Sequence, residues 1–194
     1  LGDRNLATLT DSREPRRVLD DAWGSDDEAV RWALSRGEWT FATRAVMADY
    51  NPSITPAFGF RRAFDKPDDL CKLSALSSDE RMRVPLNDED YQDEATYWFS
   101  DFDVLYIRYI SDDTEYGMND AAWSSSFKEM LELKLANETC ERLTNSKGLG
   151  DRIANEFKDA LRDAKSHEAM QRGTKFLPQG SWTQSRNFGR SRDR

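Results

Sequence analysis

The chain is poor in the residues on which most catalytic chemistry depends. Its 194 residues include one histidine, His167, and two cysteines, Cys71 and Cys140. The cysteines fit neither a zinc-ligand spacing nor a disulfide framework, and read as reduced thiols of a cytosolic protein. No apolar run approaches the roughly 18 residues that a spanning helix needs, so no membrane association is expected. No signal peptide is visible in a sequence that begins at Leu1 rather than Met.

What is present is charge and aromatic surface. Charged residues make up 33% of the chain and hydrophobic residues 38%, a polar globular balance, yet there are six tryptophans. A polar chain with so many large anchors has subunit interfaces to fill as well as a core. The net charge of −8 is unevenly spread. Within 173–194, Lys175, Arg186, Arg190, Arg192 and Arg194 face only Asp193, a balance of +4, which leaves −12 on the first 172 residues. An acidic body does not grip DNA, because binding needs cations that replace the counterions of the phosphates. It can line a passage through which DNA slides.

Short helices are predicted first. Ser12 caps a segment with Pro15 in its first turn and Val18, Leu19, Ala22 and Trp23 facing inward, stopped by Gly24. Ser25 and Glu28 have the spacing of a capping box, followed by the stripe Ala29, Val30, Ala33 and Leu34. After Trp39, Phe41, Ala45 and Val46 lead into the turn Tyr50-Asn51-Pro52-Ser53. Strands are expected over 58–64 and 70–76, with a long exposed loop over 77–94. The segments 96–99 and 104–110 are rich in aromatic and β-branched residues and are expected to form a hairpin across Ser100-Asp101-Phe102-Asp103. Both faces of the second strand are apolar, so both should be covered.

Two longer helices close the pattern. The first runs from about Trp123 to Leu143. The second carries Leu149, Ile153, Phe157, Ala160, Leu161 and Ala164 at helical spacing. The break at 145–148 is short, which makes the two antiparallel neighbours. The expected fold class is α+β, an antiparallel sheet packed on helices or on a second sheet and closed by the helix pair, with a tail from 173 to 194. The tail is too poor in apolar residues to fold alone, yet it keeps Phe176, Leu177, Trp182 and Phe188. A segment of that kind docks on something else.

No catalytic or metal-ligating set emerges. His167 lies among charged helix neighbours with no nucleophile turn nearby. Lys147-Gly148-Leu149-Gly150 lacks the glycine spacing of a phosphate loop. The run Asp88, Glu89, Asp90, Asp93 and Glu94 has no glycine where a Ca²⁺ loop turns. Asp101 and Asp103 stand two residues apart beside a turn, which favours shaping it over paired hydrolytic work. The chain is read as no enzyme, with no cofactor and no metal. Two alternatives of other classes are a metal-binding hydrolase using the acidic run and a small nucleic-acid-binding regulator using the basic tail.

A series of short motifs carries a family likeness by its order. It runs Trp39-Thr40-Phe41-Ala42, Gly59-Phe60, Phe64-Asp65-Lys66-Pro67-Asp68-Asp69, Tyr106-Ile107-Arg108-Tyr109-Ile110 and Leu143-Thr144-Asn145-Ser146, and ends with Gly180-Ser181-Trp182 and Arg186. In this order the chain resembles, from about Leu6 to Arg186, the head-to-tail adaptors of tailed bacteriophages, the tail tubular protein A-like connector proteins. The resemblance implies a structural virion protein of the neck, assembled in the cytoplasm of the host bacterium. It implies an antiparallel helical bundle (1–38 and 119–172, discontinuous) with an inserted antiparallel β domain (39–118) and an extended C-terminal tail (173–194), in a homo-oligomeric ring of about a dozen copies beneath the portal. The β lobe would face the nozzle or other tail proteins, and the genome would pass through the lumen without specific binding. The C-terminal tail would reach the portal, with Phe176, Leu177, Pro178, Gly180, Ser181, Trp182 and Arg186 as the docking residues.

Overall fold

The structure, a computed structural model, describes residues 14–172. Four helices and six strands follow in the order α1 (Glu14–Trp23), α2 (Glu28–Ser35), β1 (Thr43–Asp49), β2 (Arg62–Asp65), β3 (Leu70–Ser77), β4 (Tyr91–Asp93), β5 (Tyr97–Ser100), β6 (Val104–Ser111), α3 (Ser125–Thr144) and α4 (Lys147–Gln171). Helices and small antiparallel sheets therefore share one chain, an α+β fold.

The first corner differs from the capping box expected at Ser25 and Glu28. Gly24 takes φ +81°, and Asp26 and Asp27 are also left-handed. Asp27 occupies the position before α2, but its side chain caps nothing. Its Oδ1 instead accepts the Trp23 indole N–H at 2.7 Å. One carboxylate oxygen is thereby drawn back to α1, and the reversal becomes a side-chain clasp rather than a cap.

Helix α3 packs chiefly along α4 and also on α1, while α2 sits against α1, α3 and β3. Phe127 of α3 is the hub of their core. It meets Trp39, Phe41 and Trp123 edge-on, at centroid distances of 4.8, 5.0 and 5.2 Å, a geometry in which ring edges face π-clouds. Trp39 is fully buried, and its indole N–H donates to the Ala33 carbonyl at 3.0 Å. Helix α3 starts where Ser124 accepts the Phe127 N–H, and stops where Asn145, left-handed at φ 50°, donates its N–H to Glu141. Only Asn145 and Ser146 separate it from α4, so the two run antiparallel. Residues 141–149 at their tip are all exposed.

The strands form two three-stranded antiparallel sheets, one ordered β1-β6-β3 and the other β2-β5-β4. Phe64 and Trp98 from the second sheet share a core with Leu76, Leu105, Ile107 and Tyr109 from the first. The hairpin expected across 100–103 is absent. β5 and β6 are each the centre of their own sheet, so neither has a free edge to offer the other. The connection carries the chain from one sheet to the next, with Asp101 accepting the Arg61 N–H at 3.0 Å and Asp103 paired to Arg62.

Three further expectations shift. The strand predicted over 58–64 begins only at Arg62, because Gly59 turns the chain at φ +84° and leaves Phe58 78% exposed. The predicted loop 77–94 contributes β4, which pairs with β5. Thr43–Asp49, read as the approach to a turn, is the full edge strand β1. The expectation that both faces of β6 are covered holds fully for one face only, since Val104, Tyr106 and Arg108 on the other stay partly exposed. Leu105, Ile107 and Tyr109 enter the core between the sheets, while Ile110 enters the helical core.

Candidate functional site

The candidates for chemistry are scattered. His167 is exposed, and among the described residues its ring meets only Gln171, at 3.3 Å. Cys71 and Cys140 are free thiols. Burial, with Asp112 adding to it, pushes the Cys71 thiol up to about 11, so at neutral pH it is protonated and a poor nucleophile. Lys147-Gly148-Leu149-Gly150 forms the first turn of α4, with the Gly150 N–H on the Ser146 carbonyl. Among the described residues, no three His, Cys, Asp or Glu side chains converge closely enough to hold a metal ion. The acidic run 88–94 is divided instead between a turn, where Asp90 accepts the Asn87 N–H, and the Lys66–Asp93 pair. Among the described residues, no helix is long and apolar enough to cross a membrane.

The docking residues expected in the tail, Phe176, Leu177, Pro178, Gly180, Ser181, Trp182 and Arg186, lie outside the described residues. What is described is the platform from which that segment departs, and it is firmly tied. Glu168, only 2% exposed on the last turns of α4, accepts the Thr40 backbone N–H at 2.9 Å. One turn later Arg172 donates to the Glu38 carbonyl at 2.7 Å and pairs with the Glu38 carboxylate at 3.3 Å. The same carboxylate takes Lys72 at 3.0 Å and a hydrogen bond from Ser74, both on β3. Burial works to raise the Glu38 pKa. The hydrogen bonds from Ser74, Lys72 and Arg172 and the Lys72 charge outweigh it, holding the carboxyl below its ordinary value. Glu38 therefore joins the end of α4 to β3, and the exit of the chain after Arg172 is set at the seam between helices and sheet.

A second polar node fastens the strands. Asp69 accepts from the Tyr109 hydroxyl at 2.9 Å and from Ser111 at 2.5 Å, and pairs with Arg44 at 2.8 Å. Burial again works to raise its pKa, and the three donors overcome it, so the carboxyl sits low. Tyr109 is pushed upward by burial and by its bond to Asp69. The Asp69 carboxylate is satisfied by these donors from β1 and β6, which makes it a fastening of the turn before β3 to its sheet.

Beside the anchored end of α4 runs an open groove of about 610 Å³ between α3 and α4. Leu133, Ala136, Ala160 and Ala164 form its floor. Glu129 and Glu132 on one side and Glu156, Asp159 and Asp163 on the other form its rims, all exposed. The helical spacing of the α4 stripe was visible in the sequence. The rims were not, because acidic residues on an isolated helix read as a solvated face until a second helix brings its own alongside. An aliphatic floor between acidic rims can bind an extended or helical cationic segment. No protein-family model and no curated protein matches the chain.

Proposed function

We propose that this chain is a structural virion protein, the head-to-tail adaptor of a tailed bacteriophage, which joins the portal to the tail as a ring of about a dozen copies. The reading takes 1–38 and 119–172 as a helical bundle and 39–118 as a β lobe inserted in it, directed at the tail proteins. Residues 173–194 are then the arm that docks on the portal. The observation that carries it is the anchored departure of that arm. Glu168 and Arg172 tie the end of α4 to Thr40 and Glu38, and the segment beyond holds Trp182 and four arginines. A rigid base followed by a segment that cannot fold alone is what a partner-docking arm requires. The order of motifs from Trp39 to Arg186 supports the same reading, and so does the charge of −12 on the first 172 residues, which suits a conduit that must not hold DNA.

The test is capture by the portal. The full chain, a form ending at Arg172, and the Trp182→Ala variant are each mixed with portal rings from the same phage, and the bound fraction is measured. Binding by the full chain that is lost on truncation and weakened by Trp182→Ala supports the reading. Equal binding by all three would reassign the contact to the body, and no binding by any would overturn the adaptor role.

A further inference from the structure

We propose that the α3–α4 groove is a docking site for the basic segment 173–194 of the same chain, which it holds before any partner takes that segment up. This inference concerns the free protein and stands apart from the adaptor reading.

The two rims of the groove differ in how far their carboxylates are paired. Glu156 is partnered by Arg152, and Asp159 and Asp163 by Arg162, all at exposed sites. Among the described residues, Glu129 and Glu132 have no cationic partner. Five carboxylates along one cleft raise one another's energy, and a cationic chain laid between them relieves that repulsion. The floor is shallow because three of its four residues are alanines, which leaves room for a backbone or a large side chain. An aliphatic floor with acidic rims fits a segment that mixes aromatics with arginines, and 173–194 has that composition.

The geometry allows it. α3 and α4 are antiparallel, so the Ser126 end of the groove lies beside Ala164 and the last turns of α4. Seven residues at the helical rise put Gln171 about 10 Å past Ala164. Anchoring of Arg172 on Glu38 prevents that exit from wandering. The groove extends about 15 Å along α3 from Ser126 to Ala136. Ten residues from Arg172 to Trp182 span up to about 33 Å when extended, enough to double back over the end of α4 and bring Trp182 to the floor. The arginines that follow then reach the rims.

Photo-cross-linking of the full chain, with no portal present, tests this. Trp182 is replaced by benzoylphenylalanine, the protein is irradiated, and adducts are mapped by mass spectrometry on an equal mixture of isotope-labelled and unlabelled chains. The expected result is adducts within 126–136 and 156–164, joining labelled to labelled and unlabelled to unlabelled chains. They should be lost in Glu129→Lys/Glu132→Lys, whose exposed positions leave the fold intact by circular dichroism, and lost again in Arg186→Glu/Arg190→Glu, which alters the segment alone. Adducts elsewhere on the body, or unchanged adducts in both charge variants, would overturn the proposal. Adducts that mix labelled with unlabelled chains would also overturn it, since the occupant would then be a second copy's segment.

Discussion

The Tyr109 hydroxyl donates to Asp69 at 2.9 Å across forty residues of sequence, and this contact ties the turn before β3 to the centre of its sheet. With Arg44 and Ser111 it gathers three groups around one carboxylate. The Asp69 and Glu38 carboxyls both titrate below their ordinary values in the folded chain. A lowered folded pKa contributes stability above the unfolded carboxylate value, about 4, and that contribution is lost as pH falls through the folded value. Urea midpoints should therefore hold steady near neutrality and fall steeply below about pH 4. Asp69→Asn should be less stable at neutral pH and should show a shallower acid limb. An acid limb as steep as that of the parent chain would show that Asp69 is not a titrating contributor.

Glu168 is the buried acceptor that closes the far end of α4 on Thr40. Glu168→Leu leaves the Thr40 N–H without that acceptor, and the expected cost is about 1–3 kcal/mol in denaturant unfolding. Glu168→Gln keeps an acceptor oxygen and should recover most of the loss. Equal losses in the two variants would mean that packing, not the hydrogen bond, secures the helix end.

Two fully buried tryptophans should respond differently to the same change. Trp39 donates its indole N–H to Ala33, whereas the Trp98 N–H has no partner among the described residues. Trp39→Phe removes a made hydrogen bond and leaves the Ala33 carbonyl with only the Arg36 N–H. Trp98→Phe removes a donor that was already unsatisfied. The Trp39 variant should be the less stable of the two by about 1 kcal/mol or more, measured by chemical denaturation against the parent.

Gly117 sits where the chain leaves β6 for the helices. A Cβ there would lie 2.2 Å from the Ser111 carbonyl oxygen and 2.7 Å from Leu34 Cδ1. The Ser111 backbone belongs to the central strand and cannot retreat, so Gly117→Ala should cost about 1–3 kcal/mol and lower the melting temperature. Gly148, with open space around its Cα, is the control. Gly148→Ala should be neutral or stabilising, because alanine is the better helix former.

Much of the secondary structure was legible because local spacing and local cost agree. The stripe from Leu149 to Ala164, the apolar run of β6 and the short break at Asn145 each state their element within a few neighbours. β1 was hidden because an edge strand with exposed Ala45, Met47 and Asp49 has little apolar contrast to display. The 96–110 region misled for a different reason. Two strands with a short connector favour a hairpin, and only the pairing of β2 and β4 with β5, and of β1 and β3 with β6, shows both edges taken.

By itself the sequence determined the acidic body, the basic aromatic arm, the helix pair and the shortage of catalytic residues, since these depend on residue identity and on periodicity along one stretch of chain. Only the tertiary structure decided that Glu38 joins α4 to β3, that Asp69 meets Tyr109, and that carboxylates from two helices line one groove. Such contacts join residues far apart in the chain, and they form only when burial of the Phe127 and Trp98 cores draws those distant segments together.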